Sequence, residues 1–222
     1  MVGYQKSQLR CIIENYFIED FMIKNVVFDF GGVLIDWEIR HLYRSIFDDP
    51  NEMETFLSEA FTFEANHRLD AGEAFHDVIA ELQNKFPHYH EPLEAILTRW
   101  PETLGGEIEG TVKILECLYQ QGTPLYGLTN WSAETFKYAE EFPFMRRFKG
   151  ITVSGQVKLA KPDPRIYHRL LNDFSLIAEE CLFIDDRSDN VMIAKDLGFQ
   201  AIQFTDPALL NKALNELNVF KA

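Results

Sequence analysis

The 222-residue chain is 46% hydrophobic and carries a formal net charge of −14, with a sequence pI near 4.8. That size and apolar content suit one core domain with an insertion, or two small domains. The acidic surface disfavours nucleic acid and anionic membranes as partners, so an anionic substrate must be met by a local cluster of positive groups.

No stretch stays apolar for the ~20 residues of a membrane span, and no basic-then-apolar leader opens the chain. Cys11, Cys117 and Cys181 lack metal-like spacing and read as free thiols. A cytoplasmic protein, monomer or homodimer, is expected. Residues 1–21 read either as an extension the fold does not need or as a docking or dimerisation helix.

Five short β-branched or aromatic runs follow: Asn25 to Phe30, Pro124 to Thr129, Gly150 to Ser154, Cys181 to Asp185 and Ala201 to Phe204. Between them lie segments of helical period. Glu109 to Gln121 stops on Gly122, Pro164 to Phe174 opens on proline, and Asp189 to Leu197 stops on Gly198. This alternation predicts an α/β fold, a doubly wound parallel sheet with helices on both faces and ligands at the carboxyl ends of its strands. Residues 37–104 break the alternation. Their apolar positions are spaced by three and four (Leu42 and Ile46, Val78 and Leu82), so a helical insertion is expected there, entered near Asp36 and left near Gly105-Gly106. Residues 22–36 and 105–222 form the expected core.

Polar groups collect where those strands should end: Asp29 after the first, Thr129-Asn130 on the second, Lys161-Pro162-Asp163-Pro164 beyond the third, and Asp185-Asp186 on the fourth. Singly, each reads as a turn, a helix cap or a solvated loop. Together at one sheet edge they describe a site.

The combination FDFGGVLID, LTNWS, AKPDPRIY and FIDDRSDN resembles the haloacid dehalogenase-like hydrolase superfamily over about Ile23 to Phe220, in the subclass with a small helical cap after the first motif. It is similar to bacterial sugar-1-phosphate phosphatase-like members. The resemblance implies an Asp29 nucleophile, Thr129 holding the transferred group, Lys161 neutralising charge, and Mg2+ bound by Asp29, Asp186 and the Gly31 carbonyl, with Asp185 behind them or as a further ligand. Physical chemistry favours the same set. A carboxylate attacking a phosphate dianion needs positive charge on both partners, which a divalent cation and a lysine supply, and the amides near Gly31, Gly32 and Asn130 can donate to phosphoryl oxygens.

One departure stands out. Many phosphatases of the superfamily carry a second acid two residues after the nucleophile, and this chain has Gly31. The inserted segment Phe63 to Phe75 gathers Glu64, Asn66, His67, Arg68 and Asp70 near an expected helix break, where a loop can close over the site. His67 or Asp70 is a proton-donor candidate and Arg68 a substrate clamp. The expected activity is a Mg2+-dependent phosphatase acting on a small, sugar phosphate-like metabolite through an aspartyl-phosphate. A metal-independent 2-haloacid dehalogenase and a non-catalytic binding module are the alternatives. The adjacent acids Asp185 and Asp186 disfavour the first alternative, because without a cation they repel one another. Retention of the other site elements disfavours the second.

Overall fold

The computed structural model describes residues 22–220. The expectations for residues 1–21 lie outside the described residues. In chain order the elements are β1 (Asn25–Phe28), β2 (Ile35–Trp37), α1 (Ile39–Tyr43), α2 (Pro50–Glu59), α3 (Phe63–Asp70), α4 (Phe75–Lys85), α5 (His90–Thr98) and β3 (Leu104–Glu107). There follow α6 (Glu109–Gln120), β4 (Leu125–Thr129), α7 (Phe136–Ala139), β5 (Gly150–Val153), α8 (Ser154–Val157), α9 (Pro164–Phe174), β6 (Cys181–Asp185), α10 (Ser188–Asp196), β7 (Gln200–Gln203) and α11 (Pro207–Glu216).

The five expected strands form one sheet in the order β5-β4-β1-β6-β7, and every neighbouring pair is parallel. Successive residues of β1 serve opposite faces: Val26 and Phe28 pack with Leu115 and Leu118 of α6, while Val27 packs with Ile166, Tyr167 and Leu170 of α9. Two-sided burial explains why β1, β4 and β6 read as continuous apolar runs. The chain winds outward from β1 through β4 to β5, then returns to the other side of β1 for β6 and β7. The winding reverses between β1 and β6, which opens a crevice at their carboxyl ends.

Helix boundaries follow local chemistry. Asp163 caps α9 by accepting the Arg165 N–H at 2.9 Å, with Pro164 in the first turn, and Gly122 and Gly198 follow α6 and α10 with φ of +79° and +93°. α11 was not read from the sequence, although Asp206 caps it through the amides of Ala208 and Leu209.

The inserted segment holds α1 to α5, and its two ends meet. β2 and β3 pair antiparallel, with Asp36 opposite Gly106, a two-stranded ribbon that sequence reading missed because both strands are short and β3 carries two glycines. A second correction concerns the loop expected around Phe63 to Phe75. Thr62 caps a helix there by accepting the Ala65 N–H, the helix runs to Asp70, and the break comes later, at Gly72 with φ +96°.

Candidate active site

The sheet brings Asp29, Thr129 and Asp185 to the ends of three adjacent strands. The Asp29 N–H donates to Ile184 O at 2.9 Å, so the β1–β6 ladder runs up to the carboxylate itself. The chain then folds back tightly. Phe30 O accepts the N–H groups of Val33, Leu34 and Ile35 at 3.2, 2.8 and 2.9 Å, and the Phe30 N–H donates to Asp29 Oδ1 at 2.7 Å. Gly32 makes this turn at φ +73°, and a Cβ there would stand 2.9 Å from Asp186 Oδ2. Only glycine allows both the backbone angle and the approach of that carboxylate.

Lys161 is buried at the centre. Its Nζ donates to Asp185 Oδ2 at 2.6 Å and to Leu128 O at 2.9 Å, and lies 2.9 Å from Asp29 Oδ2. Burial works to lower its pKa, but Asp185 and Asp29 outweigh burial and hold it above the ordinary lysine value. Asp185 is saturated: besides Lys161 it accepts from Asn190 Nδ2 at 3.0 and 3.1 Å and from the Arg187 N–H at 2.9 Å. It therefore aims Lys161. Asn130, whose amide is expected to meet substrate, lines the cavity, and its side chain clasps the Lys161 backbone in both directions, donating to its carbonyl at 2.9 Å and accepting its N–H at 2.8 Å.

The residues fit a divalent cation. One carboxylate oxygen each from Asp29, Asp185 and Asp186 lies within 4.8 Å of the others, a hard oxygen set suited to Mg2+. Burial pushes the Asp29 carboxyl up to about 8, with Lys161 opposing and Asp185 and Asp186 adding to the rise. Burial and the Asp185 charge also raise Asp186. Three clustered carboxylates thus exceed what one ammonium offsets, and a cation would supply the balance. Thr129 Oγ1 is buried without a hydrogen-bond partner among the described residues, as are the hydroxyls of Thr103, Thr111, Thr135 and Thr152.

These groups open into a cavity of about 710 Å3 between the strand ends and the insertion. Asp29, Gly31, Gly32, Asn130, Lys161 and Asp186 line it from the sheet side, and Glu64, Asn66, His67 and Asp70 line it from α3. Arg68 does not line it. The guanidinium is held by Glu73 and Glu81, each at 2.8 Å, on the outer side of the helix, which corrects its expected role as a clamp. Sequence reading missed the aromatic wall of Trp37, Phe61, Phe63 and Trp100, because large apolar residues in the insertion read as core, and Phe61 and Trp100 are in fact buried.

A family profile described as haloacid dehalogenase-like hydrolase matches residues 23–198. The chain belongs to that family. Among its relatives, a D-ribitol-5-phosphate phosphatase of Bacteroides thetaiotaomicron is 26% identical over 82% of this chain and 92% of its own length. A sesquiterpene phosphatase of Aspergillus oryzae is 26% identical over 87% and 96%. A family enzyme of B. thetaiotaomicron solved with magnesium and inorganic phosphate superposes with a TM-score of 0.67 at 20% identity, covering 83% of this chain and 95% of that one, a likeness of fold. This haloacid dehalogenase-like chain is therefore a hydrolase whose curated relatives include phosphatases of quite different alcohols.

Proposed function

We propose that the protein is a Mg2+-dependent phosphomonoesterase in which Asp29 attacks the phosphorus of a small organic phosphate. The observation that carries this reading is the buried Asp29–Lys161–Asp185 ion cluster with Asp186 beside it, all but Asp185 facing one cavity. Asp29 and Asp186, with the Gly31 carbonyl, would hold the cation, which supplies charge to offset the dianionic substrate. Lys161 offsets charge on the attacking carboxylate and on the phosphoryl oxygens, while Asp185 and Asn130 keep it from swinging away. Thr129 Oγ1 and the Gly31 N–H, which have no partner among the described residues, would donate to the transferred group, whereas the Gly32 N–H is already given to Ile35 O at 2.9 Å. Residues 37–104 serve as a cap on a core of 22–36 and 105–222, a division supported by the pairing of Asp36 with Gly106 at its neck.

The motif resemblance favours a sugar phosphate-like substrate, and the relatives bracket a polyol and a terpenoid alcohol. The cavity wall supports an alcohol with an apolar face. Trp37, Ile39, Leu57, Phe61, Phe63 and Trp100 line it, while the polar neighbours are engaged with one another: Arg40 with Glu38 and Glu54, and Arg187 with Asp189.

The test is phosphate release from p-nitrophenyl phosphate. Activity should require added magnesium and stop in chelator, and Asp186→Asn should raise the magnesium needed for half-maximal rate at least about tenfold, with partial recovery at high magnesium. Halide release from 2-chloropropionate that persists in chelator, with no phosphate released from any ester, would overturn the reading.

A further inference from the structure

An alkoxide leaving from phosphorus needs a proton, and Gly31 has none to give. Nothing in the fold bars a side chain at that position: Gly31 has no positive φ, and an added Cβ would meet only Trp37 Cβ, at 3.7 Å. At the sheet edge, Asp185 is saturated by Lys161, Asn190 and the Arg187 N–H. Across the cavity, Asp70 closes α3.

Asp70 is held to the core, although it belongs to the insertion. Its backbone carbonyl accepts from Ser154 Oγ at 2.6 Å, and its carboxylate accepts from Asn66 Nδ2 at 2.9 Å and from the Ser132 backbone. Gly72 lies against Gly155, where a Cβ would stand 2.8 Å from the Gly155 carbonyl, and the Phe75 N–H donates to Glu134 Oε1 at 3.0 Å. The carboxyl is therefore a fixed part of the cavity that Asp29 and Lys161 also line. His67, the other candidate, has its ring stacked on exposed Phe63.

We propose that Asp70 is the general acid and base of this site, supplying from the insertion what position 31 lacks; the proposal rests on the phosphatase reading. As Asp29 Oδ bonds to phosphorus, the ester P–O bond breaks with its electron pair on the alcohol oxygen, which takes the proton from the Asp70 carboxyl. The resulting Asp70 carboxylate then accepts a proton from the water that attacks the aspartyl-phosphate, releasing phosphate and restoring both acids. Burial pushes the Asp70 carboxyl up to about 7, against Lys161 and the Ser132 hydrogen bond, so both forms are populated near neutrality. The groups facing it are Lys161 before α9, the Ser132 backbone after β4, and Asn66 on its own helix.

The experiment compares ethyl phosphate, whose alkoxide needs a proton, with p-nitrophenyl phosphate, whose phenolate leaves without one. In Asp70→Asn, ethyl phosphate turnover should fall about 10²- to 10⁴-fold. With p-nitrophenyl phosphate the variant should give a rapid stoichiometric burst of nitrophenolate, then slow turnover, with the phosphorylated chain visible by intact mass. Adding Gly31→Asp to that variant should recover ethyl phosphate turnover. An Asp70→Asn enzyme within about threefold of wild type on ethyl phosphate, or one that loses the burst and is not rescued, would overturn the proposal. If Asp70→Asn does not fold, the wild-type pH profile decides. Ethyl phosphate kcat/KM should fall relative to single-turnover nitrophenolate release above pH about 7, a ratio in which the shared titration of Asp29 cancels, and the same pH dependence for both esters would refute it. A wild type that cleaves neither ester fails the phosphatase reading itself, and this proposal with it.

Discussion

Lys161 stands wholly buried between Asp29 and Asp185, and that placement gives it two jobs. In the proposed mechanism its charge offsets the nucleophile and incoming phosphate, and in the fold it neutralises buried carboxylates. Sequence reading suggests that replacing it with Met, which keeps the stem, changes stability little. The structure predicts otherwise, because removing one partner of a buried pair strands the others. Lys161→Met should lower turnover by about 10²- to 10³-fold and stability by about 3 kcal/mol or more, read by denaturant unfolding. Unfolding at an unchanged midpoint would show that the fold tolerates Asp29 and Asp185 without the ammonium between them. The lysine itself was legible from the AKPDPRIY motif. Its confinement was not, because Leu128 O and Asp185 reach it from other strands.

At the scale of elements, the C-terminus of α3 is fastened to the sheet through one hydroxyl. Ser154 Oγ accepts the Trp131 N–H at 2.8 Å and donates to Asp70 O at 2.6 Å, so a single side chain joins the β4 loop, the start of α8 and the insertion. Ser154→Ala leaves a buried N–H and a carbonyl without this partner, which should cost about 1–3 kcal/mol. Its further consequence is functional: with α3 less firmly held, ethyl phosphate turnover should fall more than the nitrophenolate burst, and amide exchange should speed up across 70–75. Equal exchange in variant and wild type would show that Gly72, Gly155 and Glu134 suffice to dock the helix. No sequence pattern announces this contact, since Ser154 and Asp70 lie 84 residues apart.

Over the whole molecule, the division of labour follows charge. The core brings the Asp29–Lys161–Asp185 ion cluster to the strand ends, and the insertion, with the ribbon at its neck, brings an apolar wall together with the polar face of α3. A cavity of this size, within the ~300–1,000 Å3 common to small-molecule sites, leaves room for an organic group beyond the phosphate. Each methylene buried there contributes up to about 0.8 kcal/mol, so kcat/KM along a series from ethyl to hexyl phosphate should rise by up to about fourfold per carbon. Phe63 is 65% exposed yet lines the cavity. Phe63→Ala should therefore fold normally, lower the rate for hexyl phosphate and spare ethyl phosphate. A flat series, with sugar phosphates preferred, would return the substrate to the polyol class.

The sequence by itself determined the parallel sheet and that Asp29, Thr129, Lys161, Asp185 and Asp186 gather at its carboxyl edge, because apolar runs broken by glycine, proline and acids are local signals that survive without knowledge of neighbours. Only the tertiary structure decided what those residues touch. Arg68 and Asp70 lie two positions apart in one cluster of charge, yet helix geometry turns the guanidinium outward to Glu73 and Glu81 and leaves the carboxyl in the cavity. The β2–β3 ribbon, the Asn130 clasp on Lys161 and the Ser154 bond to the Asp70 carbonyl likewise join segments distant in the chain. The energies of such contacts depend on what the fold places beside each group, and no local pattern encodes that.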